Sequence, residues 1–240
     1  QVGGPAIQYY GYSTDGVWTS QEEIDAFLAG RPATEVFLVG KTVVPGTLKV
    51  EDNDKNGIID AYDRVPLGSP FPTLTWGMTN TFTFHGFDIS FMLQGVAGVT
   101  VLNGDGYYQE TKKINKAYTT NRFISADHPG DGKTPTFANA NGMQWELTDY
   151  LLQNASYAAL KDVTIGYRFN KKQLRPIHLN TIRLYFSAQN LLYIWNKDYK
   201  GINPEARYTN NQYSSPLVDG YQRGGFPIQR TFTFGLEIGF

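Results

Sequence analysis

The ten residues Thr231-Phe-Thr-Phe-Gly-Leu-Glu-Ile-Gly-Phe240 constrain this chain more than any other stretch. Phe232, Phe234, Leu236, Ile238 and Phe240 alternate strictly with Thr231, Thr233, Gly235, Glu237 and Gly239. Period-2 alternation over a whole segment predicts a β-strand with one apolar and one polar face. At about 3.3 Å per residue the strand is roughly 33 Å long, enough for a tilted strand to cross a bilayer. Taken alone, it fits an ordinary half-buried sheet equally well. The rest of the chain decides.

Four further segments repeat the pattern. In Thr73–Phe84, Leu74, Trp76, Met78, Phe82 and Phe84 alternate with Thr75, Gly77, Thr79, Thr81 and Thr83; His85-Gly86 then predicts a tight turn into Phe87–Gln94. In Ala159–Phe169, Val163, Ile165, Tyr167 and Phe169 share one face; a short basic link, Asn170–Asn180, leads to the alternating Thr181–Leu192. Long polar stretches, about Val96–Asn154 and Tyr193–Gln229, separate the pairs. Such lengths are uncommon in compact soluble domains unless they serve a function. Short links thus alternate with long loops, and all the long loops project from one end. That is the grammar of an outer-membrane barrel, with short periplasmic turns and long extracellular loops. Five strands are too few to close, since the smallest such barrels have eight. The expected fold is therefore all-β, the C-terminal strands of a large transmembrane antiparallel β-barrel.

Composition is consistent with this. No apolar run approaches the 18 or so residues of a membrane helix, and the mean hydropathy of −0.36 suits a barrel, in which only every second strand residue meets lipid. A net charge of −1 gives no electrostatic case for a nucleic-acid partner. Cysteine is absent, which excludes disulfides and thiolate metal sites.

Residues 1–72 read as an extracellular loop region and 73–240 as barrel strands with their loops. Within the first, Thr19–Ala29 predicts a short helix: Thr19 or Ser20 as N-cap, acids in the first turn, Ile24, Phe27 and Leu28 on one face, and Gly30 as the stop. Asp52–Asp63 follows the spacing of a calcium loop. Asp52, Asp54, Asn56, the Ile58 carbonyl, Asp60 and Asp63 fall on ligand positions, and Gly57 on the sharp turn. Asp63 stands where a longer Glu is usual, so its bidentate reach is shorter. No flanking helix pair is evident, so a structural Ca2+ fits better than a sensor site. The competing reading is an acidic turn without metal.

The residues also carry a family resemblance. Gly11–Ile24, Asp52–Arg64, Gly68-Ser-Pro70, Gly86-Phe-Asp88 and Gln94–Gly98 resemble the C-terminal region of SusC/RagA-like TonB-dependent outer-membrane transporters of Bacteroidetes. Ala159–Tyr167, Ser187-Ala-Gln-Asn-Leu191 and Arg230–Gly235 do so in the same order. Val50-Glu51 departs from the family pattern. The resemblance implies a 22-stranded barrel in the bacterial outer membrane with an N-terminal plug. It also implies a SusD-like surface lipoprotein as lid, energy from TonB acting through the N-terminal part, and oligosaccharide or peptide substrates. Thr233, Gly235, Ile238 and Phe240 fit the C-terminal outer-membrane assembly signal. Arg168, Arg183 and Gln189 are candidates to line the lumen. The loop aromatics Tyr107, Tyr108, Trp145, Trp195 and Tyr199 are candidates to stack on sugars, although such residues more often anchor loops or sit in the interfacial girdle.

Catalysis has little to rest on. His85, His128 and His178 are scattered, and no nucleophile elbow, P-loop or zinc motif appears. The alternative to transport is a soluble, calcium-stabilised β-sandwich that binds carbohydrate.

Overall fold

The computed structural model describes residues 3–5, 7–104, 116–139, 141–206, 220–222 and 225–240. In chain order the elements are β1 (Tyr9–Tyr12), β2 (Thr14–Val17), α1 (Gln21–Leu28), α2 (Ala33–Val36), β3 (Leu48–Val50), β4 (Arg64–Gly68), β5 (Leu74–Phe84), β6 (Phe87–Ala97), β7 (Thr100–Asn103), α3 (Lys116–Asn121), β8 (Leu152–Asn154), β9 (Tyr157–Arg168), α4 (Lys171–Leu174), β10 (Thr181–Trp195), β11 (Tyr221–Gln222) and β12 (Thr231–Gly239). Strands dominate, and no helix among the described residues is long and apolar enough to cross a membrane.

The chain forms two compact units. The first gathers Gln1–Phe71 with Thr100–Gln153 and Ala206–Gly224. It has a buried apolar core: Tyr12, Val17, Trp18, Ile24, Val36, Phe37, Leu48, Val50, Ile59, Phe123 and Met143. Trp18 stacks edge-on against Phe27 and Phe37, with centroids 5.3 and 6.3 Å away. Helix α1 feeds this core as its pattern predicts: Ile24 is buried, and Phe27 and Leu28 pack against the cluster. Ser20 is its N-cap, accepting from the Glu23 amide. The stop comes one residue earlier than Gly30. Ala29 itself takes a left-handed conformation (φ 48°) and its N–H closes on the Asp25 carbonyl, with Gly30 continuing the reversal at φ 81°. A small side chain makes that conformation affordable where a β-branched one would not.

The second unit, Pro72–Val99, Asn154–Glu205 and Gly225–Phe240, is a five-stranded antiparallel sheet in the order β12-β10-β9-β6-β5. Its strands are those the alternation marks, and three run longer than expected: β6 to Ala97, β9 from Tyr157, and β10 to Trp195. The extra lengths lie beyond a pair of bulges. Between Asp162 and Leu160 the β9 register slips by one residue at Lys161, and β10 slips opposite it at Asn190–Leu191, where Asn190 has φ 54°. β5 and β6 join through His85 (φ 48°) and Gly86 (φ 88°), two left-handed residues in succession, as a primed hairpin turn requires. The β9–β10 link is also short, a capped turn of helix from Asn170. Both short links lie at one end of the sheet, and the long connections leave from the other.

Candidate functional site

The site is built from the two faces of this sheet. Cross-strand register turns each strand's alternation into continuous apolar rows. One row runs Phe84, Phe87, Tyr167, Leu184, Leu236; the next runs Phe82, Ile89, Ile165, Phe186, Phe234. A third joins Phe91, Val163, Ala188 and Phe232, with Asn80 on the edge strand. Most of these residues keep exposed surface, with Phe234 82% exposed and Ile165 43%, while the small Ala188 is covered by its larger neighbours. On β12 every apolar residue from Phe232 to Phe240 is exposed. An apolar area of this size on a protein surface marks a face built to meet another apolar phase. Aromatics crowd its short-turn end, where Phe87 and Tyr167 lie 4.7 Å apart and Tyr167 meets Phe169 at 5.1 Å. That is the position of an interfacial aromatic girdle. Trp76 lies across Gly95 on the neighbouring strand, where a Cβ would sit 2.5 Å from the indole. The ring thus supplies the packing that the glycine lacks.

The opposite face is polar. One row runs Thr81, Ser90, Thr164, Ser187 and Thr233. Near the short-turn end Arg183 forms a two-point bridge to Asp88 (Nε–Oδ1 3.0 Å, Nη2–Oδ2 2.6 Å) and a third bond to Glu237 (Nη1–Oε1 2.8 Å). This fork geometry is the strong form of an Arg–carboxylate pair. It crosses β9 above Gly166, where a Cβ would press on the Asp88 carboxylate at 2.6 Å and on Arg183 Nε at 2.8 Å. Gly235 similarly lies under the Tyr185 ring. Of the residues expected to line the lumen, Arg183 is held in this triad, while Arg168 and Gln189 are exposed.

A second polar cluster occupies the loop end of the same face. Lys161 Nζ reaches both carboxylate oxygens of Glu205 at 3.0 Å and the Tyr193 hydroxyl at 2.6 Å. Gln94 Nε2 donates to Glu205 at 3.1 Å and to the Tyr157 hydroxyl at 3.3 Å. Neither cluster follows from the sequence as read, because each joins residues far apart in the chain.

In the acidic loop the structure brings oxygens of Asp52, Asp54 and Asp63 within 4.8 Å of one another. Asp63 is fully buried, and its carboxylate accepts from the amides of Asn53 and Asp60 at 2.7 and 2.8 Å. Asp52 accepts from Gly57 N, and Asn56 Oδ1 accepts from Ile58 N. Asp60 stands apart from the carboxylate group: it caps the turn Ala61–Asp63, accepting from Tyr62 N. Lys55 and Gly57 take positive φ to make the loop's sharp reversal. No salt bridge among the described residues reaches these acids.

Of the assembly-signal residues, Thr233 pairs with Ser187 on the polar face, Gly235 with Tyr185, and Ile238 with Ile182 on the apolar face. Phe240 follows the strand and is 90% exposed. Among the loop aromatics, Trp145 donates to the Asn139 carbonyl at 2.7 Å and Tyr199 is buried, so both are built into their loops. Trp195 remains half-exposed at 41%. Tyr107 and Tyr108 lie outside the described residues. His85 and His178 are left-handed turn residues, which accounts for their places in the chain.

No family model matches the chain. It is 32% identical over 240 residues to the TonB-dependent receptor P3 of Formosa agariphila, a match covering 99% of this chain and 22% of that receptor. With the TonB-dependent receptor SusC of Bacteroides thetaiotaomicron it shares 23% identity over 231 residues, 96% of this chain and 20% of the other. The chain thus spans about a fifth of the length of these receptors. Among solved structures it resembles a chain of the RagAB peptide importer in the closed-closed state, with a TM-score of 0.62 and 16% identity over 97% of this chain and 23% of that one. This second likeness is one of fold. Receptors of this kind are outer-membrane proteins and not enzymes. An exposed apolar face, a polar face with ion clusters, and sequence similarity along the whole chain converge: the chain belongs to the SusC-like TonB-dependent outer-membrane receptors, of which it matches the C-terminal part.

Proposed function

We propose that this chain supplies closing strands and extracellular loops to a transporter that imports oligosaccharides or peptides across the outer membrane. In this reading a SusD-like lipoprotein covers the loop end, and TonB supplies energy through the N-terminal part of the receptor. The observation that carries it is the five-stranded sheet whose rows of apolar side chains stand exposed, with short links at one end and long loops at the other. Lipid satisfies the apolar rows, and water in the lumen satisfies the Asp88–Arg183–Glu237 face. A soluble sandwich would bury Phe232, Phe234 and Leu236 against a second sheet, but nothing among the described residues covers them.

The test is made on the intact receptor in its own outer membrane. It should resist carbonate extraction, migrate differently before and after boiling, and be required for uptake of a labelled oligosaccharide or peptide pool. Recovery in the soluble fraction, or unchanged uptake of both pools after deletion, would sink the proposal.

The acidic loop supports a structural cation, for which Ca2+ is the natural choice. Three mutually close carboxylates with no basic partner among the described residues repel one another, and a hard cation with oxygen ligands relieves that repulsion. Asp52, Asp54 and Asp63 would hold it directly, with Asn56 and the Ile58 carbonyl as further donors. Asp60 is committed to its cap and would contribute through a water, as the ninth loop position often does. Chelation should speed protease cleavage around residues 52–63, and added Ca2+ should reverse it. An unchanged cleavage rate in chelator removes the ion from the account.

A further inference from the structure

Three strands converge on the carboxylate of Glu205. Gln94 on β6, Lys161 on β9 and Tyr193 on β10 all hydrogen-bond to it, yet Glu205 itself belongs to the connection that follows β10. Gln94 fixes the side of the sheet: it continues the uninterrupted alternation Asp88, Ser90, Met92, Gln94, so the cluster lies on the polar face. The bulge at Lys161 is what makes the contact available, because it inserts a residue where the regular pleat has none. Across from it, Asn190 is held in a left-handed conformation. Its carboxamide accepts from the Tyr193 hydroxyl and donates to the Gln229 carbonyl, just before β12. Asn203 extends the ties, accepting from the Glu205 amide and donating to the Phe226 carbonyl. Strain at one residue and an interruption of pairing in two strands are costs that a plain stretch of wall does not carry.

We propose that Glu205 and Lys161 form a latch that folds the segment 196–205 back onto the polar face at the loop end, and that Glu205 is a positioning residue for the transport path. The latch uses the Tyr193 hydroxyl directly and, through Gln94, that of Tyr157. It thereby sets the orientation of a run of rings, Tyr157, Tyr193, Trp195 and Tyr199, whose successive centroids are 5.9, 6.5 and 6.3 Å apart. The half-exposed Trp195 in that run is the surface the latch presents to passing substrate. This second half of the inference rests on the transporter reading; the latch itself does not.

Two exposed lysines in the latched segment, Lys197 and Lys200, provide a readout independent of transport. In the intact receptor in its outer membrane, with assembly checked by heat-modifiable migration, Glu205→Gln and Lys161→Glu should each raise the rate of tryptic cleavage at Lys197 and Lys200 at least tenfold. Substrate uptake should show a several-fold higher KM with the maximal rate nearly unchanged. The double exchange Lys161→Glu with Glu205→Lys should bring both quantities back to within about twofold of the natural protein. Joining Lys161→Cys to Glu205→Cys with a short bismaleimide should leave uptake intact, because the latch stays closed in the working transporter. The latch is overturned if the single variants leave cleavage unchanged, or if the exchange fails to restore an assembled receptor. Its positioning role is overturned if cleavage rises while KM stays constant, or if the cross-link blocks uptake. A natural receptor that imports nothing counts against the transporter reading, and the tryptic rates then still decide the latch.

Discussion

The two units of this chain use apolar side chains in opposite directions. In the first, Trp18, Ile24, Val36 and Leu48 are almost wholly buried, and most of the charge, Asp63 apart, lies on the surface. In the second, Phe82, Phe84, Phe234 and Leu236 face outward and the charge sits on the other face of the same strands. The first follows the rule of proteins in water. The second reverses it, because its outer solvent is hydrocarbon and its inner one is water. A substitution of the same chemistry should therefore have different consequences in the two units.

The largest effect is expected at Trp18. Its indole meets Phe27 and Phe37 edge-on, two rings that stack on each other at 5.8 Å, and Lys49 Nζ lies 5.1 Å from its ring. Trp18→Ala leaves a cavity that close-packed neighbours cannot fill and should cost about 3–5 kcal/mol. Hydrogen exchange in the intact receptor should show the loss in the first unit while the heat-modifiable sheet persists. Next comes Ile165, in the middle of an apolar row. Ile165→Lys should cost about 2–4 kcal/mol if it lies near the bilayer midplane. Ile165→Ala should cost far less than the roughly 2–5 kcal/mol of a core truncation, since lipid chains flow into the space. Denaturant titration of the folded receptor in detergent micelles measures both. A tolerated lysine with a costly alanine would mean that protein, not lipid, covers this face.

A smaller effect is expected on the polar face. Arg183→Met strips Asp88 and Glu237 of their shared cation, at about 1–3 kcal/mol in the same titration. Glu237, 58% exposed in its side chain, is the dispensable arm, and Glu237→Gln should cost less than about 1 kcal/mol. Equal costs for the two would mean that the triad works as a unit rather than as one strong bridge with a satellite.

What the sequence shows of each unit follows from the range of the interactions. Alternation is local, so all five sheet strands and the face of each residue follow from it. The strand ends beyond Lys161 do not, because a bulge is a property of two strands in register and a single strand carries no mark of it. Helix α1 is visible through its cap and its Ile24–Phe27–Leu28 stripe, whereas the core around Trp18 is not: Phe123 and Met143 enter it from a stretch that reads only as polar loop. The acidic loop shows the same division. Its spacing is local and recognisable, but the burial of Asp63 and the commitment of Asp60 to a cap depend on the fold around them. Arg183 is plainly a polar-face residue in the sequence, while its partners lie 95 and 54 positions away. Glu205 gives no local signal, since its meaning arises where three strands and a loop converge.

The smallest effect concerns protonation in the water-facing unit. Glu23 is partly buried, which opposes its charge. The hydrogen bond from Lys49 (2.8 Å), together with donors from Thr19, outweighs this and holds the carboxyl below its ordinary range. A carboxyl that releases its proton more readily when folded stabilises the fold at pH values above its unfolded pKa, near 4.3. That contribution fades as the pH falls through the lower, folded value. Because the pair is only partly shielded, it should be worth no more than about 1 kcal/mol. The protection of the α1 amides, their exchange relative to the intrinsic rate at each pH, should therefore fall below about pH 4.3 in the natural protein. Glu23→Gln should exchange faster already at pH 7 and lose that part of the pH dependence. No similar loss is expected on the lipid face, where Ile89, Ile165 and Phe186 carry nothing to titrate. An α1 helix whose protection ignores both the pH and the substitution would show that packing of Ile24 and Phe27 holds it without help from the ion pair.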